Sequence, residues 1–124
     1  MTINVDPSTF TYFEVSPMSP HIGAELLGLK LSADMPEQAY EQIKQALLEY
    51  KVVFFRDQAH LTAEEHIAFA RHFGELEIHP ATPKDQPNPE ILRITHDDTS
   101  KGRENAWHSD VTWRPEPSLG SILR

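Results

Sequence analysis

The sequence predicts an α+β chain, and three observations carry that expectation. Two stretches in the first half, after Asp34 and after Thr62, space their apolar residues at helical intervals. Between them, "KVVFFR" is a β-branched and aromatic run too short for a helix and suited to a central strand. Six of the ten prolines then fall between Pro80 and Pro117, where helix is disfavoured and strands joined by loops are expected.

In order along the chain, "FTYFEV" (Phe10 to Val15) reads as a short strand. "IGAELLGLKLS" (Ile22 to Ser32) reads as strand-like with an irregularity at Gly28, and Pro17 and Pro20 mark the connection between the two. Asp34 and Glu37 fit a capping box, with Pro36 tolerated in the first turn. Ala39, Ile43, Ala46, Leu47 and Tyr50 would form the buried stripe of that helix. After the strand Lys51 to Arg56, Thr62 and Glu65 form a second capping box. Its helix presents Ile67, Ala70 and Phe73, with Gly74 as the expected C-cap. "EILRIT" (Glu90 to Thr95), "WHSDVTW" and "SLGSILR" are expected strands, and the polar run "THDDTSKGREN" an exposed loop.

Composition narrows the function classes. A length of 124 residues allows one domain at most. A net charge of −8 without a basic cluster argues against a nucleic-acid partner, because that affinity is built on Lys and Arg. The absence of cysteine excludes disulfides, thiolate zinc sites and cysteine nucleophiles. The segment "MTINVDPSTF" lacks the basic and apolar regions of a signal peptide, and no apolar run reaches membrane-spanning length. The expectation is a cytoplasmic protein without a membrane partner; a homo-oligomer is compatible with this composition. The sequence stops at "SLGSILR", within an expected strand, so residues 1–124 are expected to be the N-terminal portion of a longer domain.

One stretch carries the chemistry. "NAWHSDVTW" sets His108 and Asp110 two apart in an apolar, aromatic run. Alternate side chains of a strand share a face, which would place imidazole and carboxylate side by side. Such a pair is two-thirds of the 2-His-1-carboxylate set of non-heme Fe(II) oxygenases. The alternative reading of the same two residues is a hydrogen-bonded structural pair. Seven His and seven Asp in 124 positions predict about 0.4 His-x-Asp pairs by chance, and the chain has a second one at His96-Asp97-Asp98. His79, entering the Pro-bounded "HPATP", is placed either to line a pocket or to stand exposed. His21, His60, His66 and His72 read as surface positions. The sequence contains neither a glycine-rich phosphate loop nor a Gly-x-Ser-x-Gly elbow.

Three blocks in order, "HIGAELLGLKL", "KVVFFRDQAHLTAEEHIAFARHFGELEIHP" and "NAWHSDVTW", resemble the taurine dioxygenase family of Fe(II)- and 2-oxoglutarate-dependent oxygenases. The resemblance implies a double-stranded β-helix, or jelly roll, with flanking helices. About eight strands make such a barrel, more than this chain supplies. It implies that His108 and Asp110 are the first two iron ligands. The third, a histidine, and the arginine that binds 2-oxoglutarate lie farther downstream in the family. His79 matches a histidine facing the substrate's anionic head group, and Val111 a residue whose backbone N–H meets the same group. Thr82 stands where taurine-acting members have tyrosine, and Asn105 lies near the position of their amine-binding asparagine. "HPATP" is closer to the alkylsulfatase-like members.

The chemistry so implied uses Fe(II) as cofactor with 2-oxoglutarate and O2 as co-substrates. An anionic organosulfur compound would be hydroxylated beside its heteroatom and fall apart to an aldehyde plus sulfite, or sulfate from an ester. Rival readings are oxidation of phenoxyalkanoates or other carboxylates on the same fold, a non-catalytic binding module, and a zinc hydrolase on the same two ligands.

Overall fold

The computed structural model describes residues 5–80, 82, 83, 85–95 and 107–124. The chain divides into two compact units, Met1–Gly74 and Glu75–Arg124.

The first unit is a three-stranded sheet with two helices. A single 3-10 turn at Pro7–Thr9 is capped by the Asp6 side chain, which accepts from the Ser8 N–H. Strand β1 (Glu14–Pro17) pairs antiparallel with β2 (Ala24–Leu27), Val15 opposite Leu26. Helix α1 (Glu37–Tyr50) follows, then β3 (Val53–Phe54), which lies parallel to β2 with Ala24 opposite Val53. The crossover between parallel strands runs through the helix, as parallel pairing demands. Helix α2 (Ala63–Arg71) completes the unit. One core joins the pieces: Phe10, Phe13, Val15, Ala24 and Leu26 pack with Tyr40, Ile43, Ala46 and Tyr50 of α1 and Phe69 of α2.

Local chemistry explains several departures from the sequence reading. The first strand begins at Glu14 rather than Phe10, because Phe10 and Phe13 stack on each other in the core, centroids 5.2 Å apart. β2 ends at Gly28, whose φ of +83° turns the chain out of the sheet. The capping box at Asp34 does not form. The N-cap of α1 is Pro36, with no side-chain cap. A residue preceding proline is pushed out of the helical region, so Met35 cannot start the helix and Asp34 is left outside it. The buried stripe of α1 includes Tyr40, whose hydroxyl donates to the Ser32 carbonyl at 2.7 Å, while Leu47 is half-buried. The β3 strand is shorter than Lys51 to Arg56 because Lys51 is the left-handed C-cap of α1, φ 66°.

The capping box of α2 is present in full. Thr62 Oγ1 accepts from the Glu65 N–H at 3.2 Å, and Glu65 Oε2 accepts from the Thr62 N–H at 2.8 Å. Its C-cap is His72 rather than Gly74; Gly74, with φ +146°, ends the turn that follows. His72 is an exposed residue, as expected, but it is held in place. Its ring lies 3.5 Å from that of Tyr40 at an interplanar angle of 6°, and Nδ1 sits 3.3 Å from Glu37 Oε2. His60 likewise is tied down, Nε2 lying 2.9 Å from the Leu31 carbonyl oxygen.

The second unit contains turns and extended chain, with no strand among its described residues. The strands expected at Glu90 to Thr95, Trp107 to Trp113 and Ser118 to Arg124 are therefore not formed here. A strand exists by pairing, and among the described residues no ladder forms along these segments. Their apolar side chains are correspondingly open to solvent: Ile94 is 69% exposed, Trp113 75% and Leu123 92%.

Candidate metal centre

His108 and Asp110 are brought together, although not by a strand. The chain passes Trp107, His108 and Ser109 and enters a turn at Asp110. Val111 takes φ +56°, a left-handed conformation unusual for a β-branched residue. The Arg114 N–H donates to the Val111 carbonyl at 3.2 Å and closes the turn, while the Thr112 hydroxyl donates to the Ser109 carbonyl at 3.3 Å. Across this bend His108 Nε2 lies 3.2 Å from Asp110 Oδ1. The strand geometry expected from the spacing is replaced by a turn, yet the juxtaposition it was meant to produce is there.

The pair fits a metal on its donor chemistry. Two ligands at right angles, each about 2.1 Å from a metal, stand about 3.0 Å apart. The observed separation is close to that, and both side chains are two-thirds exposed (66%), so an ion can reach them. A neutral imidazole and a carboxylate suit a first-row divalent metal. Among the described residues no group of three or more His, Cys, Asp or Glu could hold an ion, so the pair accounts for two ligands only.

The other candidates differ in their surroundings. His79 is exposed and its carbonyl accepts from the Thr82 N–H at 2.8 Å, a tight turn at the start of "HPATP". Thr82 is buried, 8% exposed, and its hydroxyl has no hydrogen-bond partner among the described residues. A buried, unsatisfied hydroxyl is unfavourable unless something else supplies the bond. Val111 is half-buried. Asn105 and the second pair, His96-Asp97-Asp98, lie outside the described residues, as does most of the expected loop around them.

Sequence reasoning missed an ion pair in the same unit. The Glu77 carboxylate pairs through Oε1 with Arg114 Nη1, and its Oε2 accepts from the Ser118 hydroxyl at 2.7 Å. These residues are far apart in sequence and carry no local pattern; only the fold joins them.

Residues 14–124 match the model of the taurine catabolism dioxygenase TauD, TfdA family. The chain belongs to that family. It is 39% identical over 111 residues to an alpha-ketoglutarate-dependent sulfate ester dioxygenase of Pseudomonas putida, covering 90% of this chain and 36% of that protein. It is 36% identical over 116 residues to an (S)-phenoxypropionate/alpha-ketoglutarate-dioxygenase of Sphingobium herbicidovorans, covering 90% of this chain and 39% of that one. A crystal structure of a taurine dioxygenase from Burkholderia xenovorans superposes with a TM-score of 0.58 at 41% identity, over 67% of this chain and 32% of that one. This TauD, TfdA family chain thus spans little more than a third of the length of the curated relatives it matches. Those relatives are 2-oxoglutarate-dependent dioxygenases that differ in substrate.

Proposed function

We propose that residues 1–124 are the N-terminal portion of a single-domain Fe(II)- and 2-oxoglutarate-dependent dioxygenase, a double-stranded β-helix when complete. Its substrate is an anionic organosulfur compound, an alkyl sulfate ester or a taurine-like sulfonate. The observation that carries this reading is the 3.2 Å approach of His108 Nε2 to Asp110 Oδ1, inside a chain matched to the family across residues 14–124.

Bound Fe(II) would supply the redox chemistry, with 2-oxoglutarate and O2 as co-substrates, that side chains cannot perform. His108 would hold it through a neutral imidazole nitrogen and Asp110 through its carboxylate, so the site binds metal in competition with protons. The third histidine and the 2-oxoglutarate-binding arginine lie farther along the family's sequence. His79 in its protonated form and the Val111 N–H would hold the anionic head group by charge-assisted hydrogen bonds. Thr82 supports this placement, since a substrate oxygen would satisfy its buried hydroxyl. Asn105 is assigned to substrate binding by resemblance alone.

The partner so defined is a small anion. The net charge of −8 disfavours a nucleic acid, and no described helix is long and apolar enough to cross a membrane. A cytoplasmic location is part of the same proposal.

A second reading, oxidation of a phenoxyalkanoate on the same residues, is favoured by the phenoxypropionate relative at 36% identity. The products separate the two. The full-length protein, given Fe(II), 2-oxoglutarate and O2, should form succinate and release sulfate from an alkyl sulfate or sulfite from a sulfonate. Phenol release from phenoxypropionate without either anion would transfer the assignment to the second reading. No succinate with any of these substrates would leave a non-catalytic binding module.

A further inference from the structure

We propose that Glu77 and Arg114 are positioning residues: their ion pair clasps the segment ending at His79 to the turn that follows His108 and Asp110. The proposal rests on the function given above and adds two residues to its site.

Glu77 lies two residues before His79. Arg114 closes the turn that begins at Asp110, its backbone N–H bonded to the Val111 carbonyl at 3.2 Å. One ion pair therefore links the imidazole assigned to the head group with the turn that presents Asp110 and the Val111 N–H. The link is better held than an ordinary surface pair, which is worth little because two long side chains must be ordered in water. Both oxygens of Glu77 are engaged, one by Arg114 and the other by the Ser118 hydroxyl at 2.7 Å. The Arg114 guanidinium also lies 4.8 Å from the centroid of the Trp113 ring, which orders it from a second side. The two side chains are 31% and 32% exposed, so water screens the attraction only in part.

The clasp joins two segments that each carry part of the site. His108 and Asp110 are neighbours in sequence and find each other without it. His79 is not, and its position relative to them depends on what ties the segments together. Loss of the clasp should therefore weaken capture of the anion more than capture of the metal. Misplacing the charge-assisted hydrogen bond from His79 can cost about tenfold or more in affinity.

The test uses the full-length protein, Co(II) absorption as a metal readout, and n-hexyl sulfate added to the Co(II) and 2-oxoglutarate complex. For Arg114→Ala, Glu77→Ala and the milder Glu77→Gln, the n-hexyl sulfate Kd should rise by about tenfold while Co(II) affinity changes by less than about threefold. The reversed pair Glu77→Arg with Arg114→Glu should recover most of the loss. Unchanged n-hexyl sulfate binding in all three single variants would overturn the clasp and leave the parent function standing. So would parallel loss of Co(II), n-hexyl sulfate and thermal stability, or a reversed pair no better than the singles, since either marks a merely structural contact. A wild-type protein that binds neither Co(II) nor n-hexyl sulfate would overturn the parent function, and the clasp with it.

Discussion

At Tyr50 the core encloses a polar atom that it does not satisfy. The side chain is 0% exposed, and its hydroxyl has no hydrogen-bond partner among the described residues. Burial pushes its phenol above the ordinary value, and the neighbouring Glu49 adds to the shift. Tyr50→Phe should therefore leave stability unchanged or raise it by about 1 kcal/mol, read from the urea midpoint at neutral pH. The sign of the alkaline effect follows from linkage. A phenol with a raised folded-state pKa contributes fully below the unfolded value of about 10, and the contribution fades as pH climbs toward the folded value. The wild-type urea midpoint should fall more steeply than that of Tyr50→Phe as pH rises above about 10. Equal slopes would mean that water reaches the hydroxyl. Tyr40, also raised chiefly by burial, would keep a smaller slope in the variant. At the candidate centre, His108→Ala in the full-length protein should abolish Co(II) binding and turnover together, whereas His79→Ala should chiefly raise KM. Retained Co(II) affinity in His108→Ala would remove the metal assignment. The His108–Asp110 pair was legible because its partners are two residues apart. The stacking of His72 on Tyr40 and the Glu77–Arg114 pair were not, because each is made by residues that only the fold brings together.

The same contrast governs the elements. Both helices announce themselves by apolar periodicity, which chain geometry fixes locally. Their starts test the sequence rules more severely, because α1 and α2 carry look-alike capping boxes of which one is formed. Thr62 and Glu65 exchange two hydrogen bonds at the start of α2. Thr62→Ala should cost about 1 kcal/mol of stability. Asp34 caps nothing in α1, since Pro36 takes the N-cap position. Asp34→Ala should accordingly stay within about 0.5 kcal/mol of wild type by chemical denaturation. Comparable losses in the two variants would mean that α1 begins earlier in solution than it does here. Strands were read less well because pairing decides where they begin and end. β1 moves toward Pro17 to meet β2 in register, and β3 shrinks to the residues that can reach Ala24 and Glu25. In the second unit apolar alternation is present in the sequence but no strand forms among the described residues.

Over the whole molecule, burial is divided unevenly. Every residue of the hydrophobic core cluster belongs to the first unit, between Phe10 and Phe69. In the second unit Thr82 alone among the described residues is classed as buried. Both tryptophans of the chain lie there, Trp107 at 105% exposure and Trp113 at 75%. Apolar side chains of that size normally contribute to a core or an interface. If residues 1–124 are one part of a jelly roll, as proposed, the other strands of that barrel would cover them. Tryptophan fluorescence reads this directly. In the 124-residue chain acrylamide should quench both indoles nearly as freely as a small tryptophan amide. In the protein extended to the length of its relatives, quenching of each should fall severalfold, assigned by difference against Trp107→Phe and Trp113→Phe. Arg114 over one face of Trp113 should leave that indole the less accessible of the two in the short chain. Tryptophans that stay fully quenchable in the long protein would mean that "WHSDVTW" is not built into a barrel wall.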